Sequence, residues 1–150
     1  MTQVDFYILR EASGSARLEL ACRLAEKAFL AGQRLLVWVD DKAELERLDA
    51  LLWTFADESF VPHEALDADP AASDAPVQLT AAVALPPAVG GAFATLLSLR
   101  ATAVPDMLRF ARVLDVVDGE PARRDAGRAR FRFYREQGLE PRHHNLGNDG

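Results

Sequence analysis

The chain has 150 residues, 49% of them apolar, a formal net charge of −6 and a single cysteine. Those figures describe one domain with enough apolar material for a core. They exclude an intrachain disulfide and a general nucleic-acid binder, which needs a broad basic surface.

The first predicted element is a strand, Val4 to Leu9, a short apolar run with β-branched and aromatic residues. A polar turn with Ser13-Gly14-Ser15 follows. Ala16 to Ala31 then has helical periodicity, with Leu18, Ala21, Cys22, Ala25 and Phe29 on one stripe, and Gly32 ends it. Leu35 to Val39 reads as a buried parallel strand. Asp40 or Asp41 caps the next helix, which runs to about Thr54. Glu58 to Leu66 is irregular, and Asp67 to Ala75 is a polar loop. Val77 to Ala84 and Leu96 to Leu99 are further strand candidates, separated by breaks at Pro86, Pro87, Gly90 and Gly91. Pro105 opens a short helix through Phe110, Val113 to Val117 is another buried strand, and a helix from Ala122 to Glu136 comes last. The alternation predicts a single α/β domain over residues 1–141, with a mainly parallel central sheet flanked by helices. Residues 142–150 read as a flexible tail.

No apolar run approaches the roughly 18 to 20 residues that span a bilayer. The opening MTQVDFYILRE lacks the regions of a signal peptide. The expectation is a cytoplasmic protein with no membrane partner.

The last helix concentrates charge. Residues 122–136 hold six arginines against two acids, a local charge of +4 on an acidic chain. At about 100° per residue, Arg124, Arg128, Phe131, Arg132 and Arg135 share one face, and Ala122, Ala126, Ala129 and Phe133 share the opposite one. The alanine side is expected to pack on the sheet. The other side presents planar forks suited to carboxylate or phosphate, or is simply a solvated helix face.

No catalytic, cofactor or metal set emerges. Ser13-Gly14-Ser15 lies where a nucleotide-binding α/β fold places its phosphate loop, but both glycine-rich phosphate motifs are absent, so a turn and an N-cap are expected. Asp115 and Asp118 have no partner at a suggestive spacing. His143 and His144 make a poor metal site, and His63 reads as a hydrogen-bonded structural residue. Cys22 reads as a buried, inert thiol. Trp53, Phe60, Val61 and Pro62 either cover the local core or form an exposed apolar patch, and pattern alone favours the core.

Several of these segments, taken together, resemble one family, the chi subunit of bacterial DNA polymerase III. They are VDFYIL at the start, LLW at Leu51 to Trp53, ESFVPH at Glu58 to His63, LSLR at Leu97 to Arg100, FARVLDVV at Phe110 to Val117, and ARFRFYREQG near the C-terminus. The middle of the chain, from about Leu66 to Ala94, adds little to the likeness. The resemblance implies a noncatalytic accessory subunit of the clamp-loader assembly, without a cofactor, on a nucleotide-binding-like topology that lacks the nucleotide site. It further implies two partners, the psi subunit and the acidic, aromatic-ended C-terminal tail of single-stranded DNA-binding protein. On that likeness Arg124, Arg128 and Arg132 hold the tail's carboxylates, and Val117 and Phe131, with Tyr134 nearby, hold its ring. The family often carries tyrosine where this chain has Phe131, so a hydroxyl contact is lost. Trp53, Phe60, Val61 and Pro62 match the family's surface for psi. The alternatives are a small nucleotide-binding enzyme, or direct binding of single-stranded DNA through the arginine helix.

Overall fold

The structure, a computed structural model, describes residues 2–56, 59–66, 75–86 and 89–146. Its centre is a seven-stranded, all-parallel sheet in the order β3-β4-β2-β5-β6-β1-β7. The strands are β1 (Gln3–Leu9), β2 (Leu35–Trp38), β3 (His63–Leu66), β4 (Val77–Thr80), β5 (Thr95–Ser98), β6 (Arg112–Val117) and β7 (Arg142–Leu146). The helices are α1 (Gly14–Leu30), α2 (Lys42–Thr54), the single-turn α3 (Val89–Ala92) and α4 (Pro121–Glu136).

Both faces of the sheet are covered, which is why β2, β4 and β5 are buried at every position. Side chains alternate between two cores. Leu35, Val37, Leu97, Leu114 and Val116 face α1 and α2, meeting Leu18, Cys22, Leu45, Leu48 and Leu52. Val4, Phe6, Leu36, Trp38, Leu96 and Val113 face the opposite way, toward Phe93 and Tyr134. Cys22 lies in the first core, and burial pushes its thiol up to about 12.

Local chemistry sets the helix ends. Ser13 Oγ accepts from Ala16 N at the start of α1, and Asp41 Oδ1 accepts from Glu44 N at the start of α2. Gly32, at φ 73°, turns the chain out of α1 in a conformation that other residues adopt with strain.

Several expectations change. Arg142–Leu146, expected as part of a flexible tail, pairs in parallel with β1 as the edge strand β7, and residues 147–150 lie outside the described part. His63–Leu66, expected as irregular, forms β3. The short helix expected from Pro105 is a single 3-10 turn, Met107–Arg109. The expected loop from Asp67 falls outside the described residues except for Ala75.

The chain leaves β1 toward β2 on one side and leaves β6 toward β7 on the other. This reversal between β1 and β6 is where open α/β sheets gather ligands, at the carboxyl ends of the strands. The first half of α4 sits there.

Candidate functional site

Helix α4 begins with Pro121 behind the cap Glu120, whose carboxylate accepts from the amides of Ala122 and Arg123. Those two bonds hold the Glu120 carboxyl below its ordinary value. The buried side of the helix is Gly127, Arg130 and Tyr134, with Phe131 half-buried beside them. This corrects the expected orientation. Ala122 and Ala129 are exposed, and the alanine stripe is not the packing face.

Two features make this orientation possible. Gly127 has no side chain, and a Cβ there would stand 2.9 Å from Val117 Cγ2, so the helix approaches β6 closely. Arg130 is neutralised inside the protein. Its Nε and one terminal nitrogen donate to the two oxygens of Asp115 at 2.8 and 2.9 Å, and the other donates to Ala101 O at 2.9 Å. Burial pushes the Asp115 carboxyl up, and the guanidinium opposes that push. Burial also works against the charge on Arg130, but Asp115 outweighs it and holds the guanidinium more firmly protonated.

The neighbouring crevice at the carboxyl ends of β2, β5 and β6 has a cavity of about 250 Å³. Arginines and acids alternate around it. Arg17 forks onto Glu44 and donates to Leu99 O, Arg100 pairs with Asp40, and Arg123 forks onto Asp118 with both contacts at 2.7 Å. Burial raises the Asp118 pKa, but the bonds and charge of Arg123 prevail and carry it below the ordinary value. Each arginine lining this crevice already holds a carboxylate, and the Ser13 hydroxyl is engaged as a cap. The crevice is charge-balanced rather than anion-seeking.

A second cavity, of about 210 Å³, opens on the other flank of α4. Phe6, Ile8, Val117, Gly127 and Phe131 form its apolar lining, and Arg124 and Arg128 complete it. The Phe6 and Phe131 rings lie 5.3 Å apart. Arg124 and Arg128 are both exposed. Among the described residues the Arg124 side chain has no hydrogen-bond or ionic partner. Among the described residues Arg128 has one ionic partner, Asp125, an exposed contact at 3.5 Å, which is worth little in water.

The structure therefore brings together Val117, Arg124, Arg128 and Phe131. Arg132 is exposed on the same helix but does not line the cavity. Tyr134 lies elsewhere. It is fully buried, its hydroxyl accepts from Val104 N at 2.9 Å, and burial pushes its pKa up. Phe6, Ile8 and Gly127 were missed from sequence. The signal for the first two was available, since alternate residues of β1 must share a face.

The other aromatic group divides. Trp53 and Phe60 are 55% and 63% exposed, with ring centres 5.8 Å apart. Pro62 is half-buried, and Val61 is buried in the core under α2. His63 is enclosed beneath Trp53, its ring 4.7 Å from the indole and its two nitrogens in contact with Val61 O and Asp49. The tilted indole thus rests on a buried, hydrogen-bonded imidazole. Among the described residues no helix is long and apolar enough to cross a membrane.

Comparison with known proteins agrees with the first reading of the motifs. Residues 1–142 match the family described as DNA polymerase III chi subunit, HolC. The DNA polymerase III subunit chi of Pseudomonas aeruginosa is 42% identical over 146 residues, covering 97% of this chain and 98% of that protein. The protein of the same name from Escherichia coli is 31% identical over 144 residues, covering 93% and 95%. An α/β fold of this topology and likeness over nearly the full length place the chain in the DNA polymerase III chi-subunit family, whose members are accessory subunits of the replicative polymerase.

Proposed function

We propose that the protein is an adaptor, holding the acidic C-terminal tail of single-stranded DNA-binding protein at the α4 pocket and the psi subunit at the Trp53–Phe60 patch. The observation that carries the reading is an apolar pocket edged by two guanidinium groups that lack strong partners. An apolar cavity of roughly 150 Å³ accepts a benzene ring, so about 210 Å³ accommodates a phenyl side chain. Arg124 and Arg128 stand where the carboxylate of a terminal aromatic residue would lie, and a guanidinium fork matches a carboxylate bidentately.

Electrostatics favours a peptide over nucleic acid. The cationic surface is one helix on a chain of net charge −6, too small for a polyelectrolyte. The balanced crevice at the strand ends likewise disfavours a nucleotide enzyme. On the other patch, two large exposed rings, one of them over the buried His63, form an apolar surface of the kind that anchors a protein partner. Arg132 contributes long-range attraction from outside the pocket, and Val61 supports the psi surface from beneath. An accessory subunit needs no catalytic residues for this work.

Calorimetric titration with the peptide Asp-Asp-Asp-Ala-Ala-Phe, bearing a free terminal carboxylate, tests the reading. Arg128→Ala should weaken binding by about 1.5 to 3 kcal/mol, the worth of a charge-assisted pair, and Trp53→Ala should leave it unchanged. Co-purification with psi should show the reverse pattern. Equal peptide affinity in wild type and Arg128→Ala would remove the pocket from the mechanism.

A further inference from the structure

We propose that strand β7 is the second wall of the acidic-peptide site, with His143 and Asn145 touching the residues that precede the terminal ring. The inference rests on the reading of the α4 pocket given above. Its basis is sheet register. In β1–β7 pairing, His143 stands opposite Phe6 and Asn145 opposite Ile8. Directly paired residues of neighbouring strands project to the same face. Phe6 and Ile8 line the pocket, so His143 and Asn145 stand on the pocket side of the sheet.

The alternate residues of β7 have a different task. His144 stacks on Tyr7 with ring centres 4.8 Å apart and contacts Asp5 Oδ1 at 3.0 Å, and Arg142 donates to Gln3 Oε1. Those contacts fasten the strand from the opposite face. His143 and Asn145 are exposed, and among the described residues neither side chain has a hydrogen-bond or ionic partner. The fastening and the free polar groups are thus divided between the two faces of one short strand.

Charge identifies the occupant. The α4 wall brings Arg124 and Arg128, with Arg135 further along the same side, and β7 adds two polar groups that can donate to a carboxylate. The pocket holds one ring, so the rest of a bound peptide must leave across its rim. The α4 side of that rim is a helix packed on β6, whereas on the β7 side His143 and Asn145 are exposed. An extended acidic chain leaving over β7 meets donors on both sides.

The test titrates the same acidic peptide into the full chain and its variants. His143→Asp with Asn145→Asp should weaken binding about tenfold, since two added negative charges within about 7 Å of a carboxylate act through a solvated interface. Arg142→Gln is the control, a change of one unit of charge on the opposite face of the strand, and should stay within about twofold. In wild-type protein the backbone amide signals of residues 143–146 should shift on peptide addition, a readout that needs no variant. Loss of peptide binding on Arg128→Ala, but not on the double change, and unmoved β7 amides would overturn the role of β7 while leaving the α4 pocket standing. No binding by the wild type, or none of the expected loss on Arg128→Ala, would overturn both.

Discussion

Arg130 and Arg128 are two residues apart on one helix, yet the structure gives them opposite roles, and replacing Arg130 by methionine separates them. Methionine keeps most of the volume, so the effect is electrostatic. It removes two donors to Asp115 and one to Ala101 O, and it leaves a carboxylate of zero exposure without a counter-charge. Breaking a buried pair in this way costs about 3 to 5 kcal/mol. A domain of this size has a net stability of about 5 to 15 kcal/mol, so the variant folds wherever the wild-type stability exceeds that loss. With a urea dependence of about 2 kcal/mol per molar, the unfolding midpoint should fall by about 1.5 to 2.5 M. Melting should fall by about 6 to 20 °C. Arg128→Met, at an exposed site, should move stability by no more than about 0.5 kcal/mol.

Two companions sharpen the reasoning. Asp115→Leu added to Arg130→Met removes the orphaned charge and should return stability to within about 1 kcal/mol of wild type. In Arg130→Met alone, burial raises the Asp115 pKa against only the weaker charge of Arg17. A raised carboxyl stabilises the folded form once protonated, so this variant should regain stability as pH falls. A midpoint change under about 0.5 M, or a double variant no better than the single one, would refute the account.

Two further predictions concern packing and pH. Gly127→Ala places a methyl 2.9 and 3.1 Å from the Val117 methyls. The helix gains about 1 kcal/mol of propensity and loses about 1 to 3 kcal/mol to crowding, so melting should fall slightly while peptide affinity falls more, because the moved wall is the pocket's own. Asp118 has a lowered pKa, so its contribution is present above the ordinary value of 3.8 and is lost as pH falls through its folded value. Asp118→Asn should therefore flatten the acid side of a melting-temperature profile, and an unchanged acid limb would contradict the Arg123 pairing.

Most of the fold was legible because both-face burial leaves a plain mark. LLVW and RVLDVV are dense in apolar residues, and α1 carries a clear stripe. The edges were not. HEAL and RHHNL have no apolar periodicity, and β7 is fastened by His144 to Asp5, a residue more than a hundred positions away. The candidate site was half legible. Helical spacing grouped Arg124, Arg128 and Phe131 correctly. It misjudged the buried face, because arginine inside a protein is plausible only once its carboxylate is known, and Asp115 lies on another element. The missing floor residues, Phe6 and Ile8, come from a strand whose neighbour in space is not its neighbour in sequence.

The position of β1 between β6 and β7 also governs when this molecule becomes competent during synthesis. Gln3 aligns with Arg112 and Asp5 with Arg142, so the earliest strand finds its neighbours only after most of the polypeptide has emerged. Such distant pairing is slow, and an uncovered strand edge is a liability until it is closed. The half of the sheet built from β2, β3, β4 and β5 can assemble beforehand. The pocket has its floor on β1 and its wall on α4, so it comes into being only at that late closure. A chain shortened to lose β1 keeps the arginines but has nowhere to seat a ring, so recognition reports that β1 has closed onto β6.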